Sequence, residues 1–141
     1  MQAIEYKIGL IGHTKTGKTS FIRSLLYGGV GNNIITKNPK KSHIPTIGVS
    51  VYPYDFTYKN QKYRLNFWDC AGDDKLKGLG KNYLKNSEMI LIFKHQSKNN
   101  MNFKSWIPNN CQFHYVSIFE NNCVENILKT IKTGLFNKQL L

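Results

Sequence analysis

Apolar positions along the chain change their period several times, and each change marks an element. Residues 6–11, YKIGLI, form a short apolar run that ends at Gly12. Such a run suits a strand buried in a parallel sheet. From Lys18 the period lengthens: Phe21, Ile22, Leu25 and Leu26 share a helical face, and Gly28-Gly29 stops the helix. Residues 28–45, GGVGNNIITKNPKKSHIP, carry no period and predict a long loop, a kind of segment that usually serves function. Alternation then returns. Val49 and Val51, then Tyr63, Leu65 and Phe67, alternate with more polar neighbours and predict two strands joined by a hairpin turn at residues 59–61.

Beyond Asp69 the pattern predicts a loop with a short helix over residues 75–85 and a buried strand over residues 88–93, EMILIF. Residues 94–110 are polar and Asn-rich, anchored by Trp106, and residues 112–118, QFHYVSI, read as a further strand. Val124, Ile127, Leu128 and Ile131 define an amphipathic closing helix over residues 122–136. The order β-α-β-β-α-β-β-α predicts a single α/β domain over residues 1–141, with a mostly parallel sheet and helices on both faces.

Composition narrows the class. At 141 residues and 40% apolar content the chain can bury one core, and no run approaches a membrane span. The start, MQAIEYKIGLIG, carries Glu5 and Lys7 and has no cleavage pattern, so a signal peptide is not expected. Three cysteines, Cys70, Cys111 and Cys123, fit reduced thiols in a cytosolic or nuclear protein. His13, His43, His95 and His114 fall at no ligand spacing. The net charge of +12 points to an acidic partner or to solvated charge, but only Arg23 and Arg64 among the 20 basic residues are arginine. Arginine leads in bidentate base and phosphate recognition, so a sequence-specific nucleic-acid reader is not expected. The heavy use of Lys, Asn and Ile is the mix that an AT-rich coding sequence, viral or otherwise, would produce.

The chemistry starts at GHTKTGKT, residues 12–19, which satisfies G-x-x-x-x-G-K-[ST] between a strand and a helix. Glycines let backbone N–H groups wrap a phosphate, and the helix N-terminus adds its dipole. Lys18 reaches the terminal phosphates and the Thr19 hydroxyl ligates Mg²⁺. Gly12, Lys15, Thr16, Gly17, Lys18, Thr19 and Ser20 form the expected nucleotide cradle. LNFWD, residues 65–69, is a strand ending in a carboxylate, Asp69, which meets Mg²⁺ through water. D-x-x-G at residues 69–72 places Gly72 on the terminal phosphate, and Thr46 of PTIG offers a second hydroxyl to the metal.

Together these stretches resemble a Ran-type small GTPase of the Ras superfamily. The resemblance lies in GVSVYPYDF at residues 48–56, WDCAG at residues 68–72 and KLKGL at residues 75–79, and runs without a gap from Thr46 to Phe93. It implies the P-loop small-GTPase fold, GTP or GDP with Mg²⁺ as cofactors, nuclear-transport or effector proteins as partners, a monomer, and a cytoplasmic or nuclear location. Ran-type proteins lack a lipid anchor, and NKQLL likewise holds no prenylation cysteine.

Three departures modify those expectations. Asp73 stands where the family has the Gln that orients the attacking water. A carboxylate there cannot donate the amide hydrogen bond, and at about 5 Å and an effective dielectric near ~20 it repels the terminal phosphate by roughly 3 kcal/mol before Mg²⁺ and Lys18 offset it. Slow hydrolysis is expected. The guanine-reading N-K-x-D motif is missing, since no Asp follows Asp74, and the late S-A-K stretch maps to Ser117-Ile118-Phe119. Guanine selectivity is therefore expected to be weakened. Finally, residues 106–112 are too short for the family's third helix, fifth strand and fourth helix, so the fold should lack about one βα unit, with residues 112–118 taking the last strand position. An unspecific NTPase and a non-enzymatic interaction module are the alternatives. A small-molecule kinase is disfavoured because neither Arg23 nor Arg64 belongs to a lid.

Overall fold

The computed structural model describes residues 2–12, 16–27, 49–70, 82–94 and 106–136. Five strands and two helices account for most of them: β1 (Ile4–Gly12), α1 (Lys18–Tyr27), β2 (Val49–Tyr58), β3 (Gln61–Cys70), β4 (Met89–Phe93), β5 (Gln112–Val116) and α2 (Cys123–Phe136). The strands form one sheet in the order β2-β3-β1-β4-β5. Only the β2–β3 pair is antiparallel; β3, β1, β4 and β5 run parallel. This is the mostly parallel α/β architecture expected of a shortened small-GTPase-like fold.

Burial explains the sequence pattern. β1 lies between β3 and β4, and its last five residues are buried. A strand enclosed on both faces needs apolar side chains at every position, hence the unbroken apolar run. β3 alternates instead: Tyr63, Leu65 and Phe67 are buried while Arg64, Asn66 and Trp68 are only half-covered. The hairpin turns at Lys59 and Asn60, both at positive φ (49° and 64°). Two consecutive left-handed residues match the right-handed twist of the flanking strands. Gln61 therefore opens β3 rather than sitting in the turn.

The first face of the sheet carries both helices. Phe21, Ile22 and Leu25 of α1 and Val124, Ile127, Leu128, Ile131 and Leu135 of α2 share one core with Ile8, Leu10, Phe67 and Leu91. Phe21 meets Phe67 and Phe93, each at 5.8 Å between ring centroids. On the second face Ile11, Cys70, Leu84, Ile90 and Ile92 form a smaller core, covered by Tyr83, Trp106, Ile107 and Phe113. Trp106 is thus the packing anchor expected of it. Of the short helix expected at residues 75–85, residues 82–83 are helical and residues 75–81 lie outside the described set.

β5 settles where the shortened chain economises. It pairs directly with β4, from Met89 opposite Gln112 to Phe93 opposite Val116. It is the outer strand of the described sheet, as expected for the last position, but no strand and no gap separates it from β4. The described residues just before it, Trp106, Ile107 and Cys111, pack on the second face, and α2 lies on the first. Trp68 is half-covered, with the Lys7 ammonium 3.8 Å from its ring centroid.

Candidate phosphate-binding site

In open parallel sheets, ligands bind beyond the carboxyl ends of the strands, where successive connections diverge in direction. Here the chain leaves β1 toward β3 and β2, then returns past β1 to β4 and β5. The divergence falls between the ends of β1 and β4, where Gly12 lies opposite Phe93. The GHTKTGKT stretch begins at that point.

Gly12 has φ +150°, and a Cβ there would come 2.8 Å from the Phe93 carbonyl oxygen and 3.1 Å from Thr16 Oγ1. The backbone thus passes β4 more closely than a side chain permits. Thr16 is fully buried. Gly17 has φ +91°, and its carbonyl accepts the first bond of α1 from the Phe21 N–H at 2.8 Å. The helix therefore opens at Lys18, which places its N-terminal end at the cradle.

Lys18 is buried, with 7% of its surface exposed, and donates to the Gly12 carbonyl at 3.0 Å. The side chain folds back toward the end of β1. Burial pushes its ammonium down to about 8, with the nearby Asp69 carboxylate acting in the opposite direction. Thr19 Oγ1 donates to Asp69 Oδ2 at 2.7 Å across 50 residues of chain. The β1–β3 register, Leu10 opposite Asp69, makes that contact possible by bringing the end of β3 beside the cradle. Asp69 is fully buried. One hydroxyl and one carboxylate are hard oxygen donors that suit Mg²⁺, which keeps several waters and takes few protein ligands. Among the described residues no group of three or more His, Cys, Asp or Glu is available to hold an ion, so an all-protein cage is not formed there. Neighbouring Cys70 is buried and its thiol is pushed up to about 12, which makes it an inert packing group.

The structure brings together Gly12, Thr16, Gly17, Lys18, Thr19 and Asp69, with Ser20 on the first turn of α1. Lys15, Thr46, Gly72 and Asp73 lie outside the described residues. Both arginines are located as expected, Arg23 on α1 and Arg64 on β3, and Arg64 is engaged by Asp55 at 2.7 and 3.0 Å.

One contact of the cradle escaped sequence reasoning. The Ile118 side chain lies against Gly17, so close that a Cβ on Gly17 would sit 2.0 Å from Ile118 Cδ1. The signal that could have found it is the placement of Ser117-Ile118-Phe119 where the family has S-A-K. The residues after β5 reach the cradle because Val116 accepts from the Lys94 N–H at 2.8 Å, which aligns the ends of β4 and β5.

A family profile described as "Ras of Complex, Roc, domain of DAPkinase" matches residues 7–123, a span that starts in β1 and ends at the first residue of α2.

Proposed function

The chain belongs to the Roc family of Ras-superfamily GTPase domains, and on that premise we propose that it is a nucleotide- and Mg²⁺-dependent switch that grips phosphate firmly, hydrolyses slowly and selects guanine weakly. The observation that carries the reading is the Lys18, Thr19 and Asp69 constellation at the carboxyl ends of β1 and β3. Lys18 is held on the Gly12 carbonyl, an interaction that a phosphate oxygen would replace on binding. Thr19 and Asp69 would hold Mg²⁺, which supplies the positive charge that neutralises the phosphates. Slow hydrolysis follows from Asp73 in place of the water-orienting Gln, and weak selectivity from the missing N-K-x-D.

On the finer resemblance, the switch is of Ran type and works as a monomer in the cytoplasm or nucleus with transport or effector proteins. The gapless lie of residues 46–93 on the Ran pattern supports that part. An importin-like receptor that bound the GTP- and GDP-loaded chain equally would remove it.

Calorimetric titration of GTP, GDP and ATP with Mg²⁺, repeated on Lys18→Ala, tests the main reading. Binding of GTP and ATP that is lost in Lys18→Ala is expected. Tight GTP binding with little ATP binding would overturn the weak selectivity. No binding of any nucleotide would leave the fold as a non-enzymatic interaction module.

A further inference from the structure

The described sheet ends on a strand that another strand can extend. Val116 turns its carbonyl toward β4, where it accepts from the Lys94 N–H at 2.8 Å. Backbone groups alternate in direction along a strand, so Phe113 and Tyr115 turn their N–H and C=O groups outward. Among the described residues nothing pairs with those groups, because β5 is the outermost strand.

The two edges of the sheet are built differently. β2, at the far edge, carries Pro53 and the exposed pair of Asp55 with Arg64. Proline and charge are the usual defences against the addition of a strand. β5, QFHYV, has neither, and its brevity is the one defence left to it. Residues 105–119 hold no Asp, Glu, Lys or Arg, the longest such stretch in a chain of net charge +12. An acidic partner is drawn to basic surface elsewhere, whereas this edge matches an uncharged strand.

We infer that the β5 edge pairs antiparallel with β5 of a second copy of the chain, about a two-fold axis at His114. The strand is complementary to itself in that register. Phe113 then faces the partner's Tyr115, and both residues turn their backbone groups outward, so the two exchange N–H···O bonds. The symmetry-related pair does the same. Phe113 packs on the second face and Tyr115 lies beside it, with ring centroids 6.2 Å apart and Tyr115 40% exposed. Pairing therefore sets aromatic rings opposite each other across the strands, a favourable cross-strand contact. Gln112 and Val116 belong to the first face, where Gln112 donates to the Gly134 carbonyl of α2 and Val116 joins the larger core. His114 lies between them in the strand and meets the partner's His114 in the close, non-hydrogen-bonded position. The Ran resemblance implies a monomer, but for a fold with one βα unit more; the interface lies on the sheet of the shorter chain. The pairing is independent of the nucleotide-binding reading.

Five residues a side make a small interface, so the dimer belongs with weak, transient complexes. Sedimentation equilibrium without nucleotide, from about 10 to 500 µM, is expected to show monomer and dimer in exchange. Raising the salt from about 50 to 500 mM should tighten the dimer several-fold, because screening relieves repulsion between two basic chains and no ion pair is lost. Tyr115→Pro removes an outward donor and leaves the β4 ladder intact; it is expected to weaken the dimer by about 10-fold or more. His114→Glu and His114→Lys set like charges face to face, so each alone should be monomeric, and an equimolar mixture should dimerise again. A monomer at every concentration overturns the inference. A dimer that salt weakens, or that Tyr115→Pro leaves unchanged, overturns it as well. Folded His114 variants that dimerise singly, or that fail to dimerise when mixed, overturn the register and the two-fold pairing with it. If either His114 variant is unfolded by circular dichroism, the salt dependence and Tyr115→Pro decide. Nucleotide titration is unaffected by any of these outcomes, so the cradle reading stands or falls separately.

Discussion

Replacing Gly17 with alanine puts one methyl group where the fold has no room for it. The residue sits at φ +91°, and the new Cβ would lie 2.0 Å from Ile118 Cδ1, 2.8 Å from Cγ1 and 3.4 Å from Cγ2. Two separate costs follow. A non-glycine residue held at positive φ loses about 1–2 kcal/mol. Displacing Ile118, whose Cγ1 as well as its terminal methyl is in the way, adds an overpacking cost of about 1–3 kcal/mol. The total of roughly 2–5 kcal/mol corresponds to a fall in melting temperature of about 6–20 °C for a domain of this size. Urea unfolding without nucleotide measures it directly, provided the m-value is unchanged. The informative comparison is the same substitution in an Ile118→Ala background. There the steric part disappears and the backbone part stays, so the two changes couple by about 1–3 kcal/mol. If Gly17→Ala costs the same in both backgrounds, Ile118 does not pack on the cradle and the placement of the residues after β5 is wrong.

Lys18 makes stability depend on pH in a way that Lys18→Met removes. Its folded value of about 8 lies below the ordinary 10.5, so the burial penalty is fully present below pH 8 and is relieved as pH rises from 8 toward 10.5. The shift corresponds to about 3 kcal/mol, so the stability advantage of Lys18→Met over wild type should shrink by up to that amount across the window; a constant difference in urea unfolding from pH 7 to 10 refutes the buried-ammonium account. Asp73→Gln should speed single-turnover GTP hydrolysis, because the amide restores the donor and removes a charge beside the terminal phosphate; an unchanged rate would sink the explanation offered for slow chemistry.

Much of this protein was legible as pattern. The apolar run before Gly12, the helical spacing of Phe21, Ile22 and Leu25, and the alternation of Tyr63, Leu65 and Phe67 each correspond to an element with the expected burial. These signals are local: burial on one or both faces dictates which positions along a strand or helix are apolar, so the positions reveal the faces. The Gly12, Gly17, Lys18 and Thr19 spacing was legible for a similar reason, since the stretch that joins β1 to α1 is only eight residues of one chain. The hairpin was placed correctly but its turn shifted by a residue, because Lys59 and Asn60 adopt left-handed conformations without the glycine that normally announces them.

Sequence by itself thus determined the strands, the two longer helices, their order and the GHTKTGKT stretch that joins β1 to α1. Tertiary structure decided three things that no local pattern encodes. The β1–β3 register placed Asp69 within 2.7 Å of Thr19. Direct pairing of β5 with β4 closed the sheet where a βα unit was expected to be missing. That pairing carried Ile118 onto Gly17. Each depends on which strands lie side by side, and hydrogen-bonded neighbours in a parallel sheet are set by packing between distant segments, not by the residues next to them in the chain.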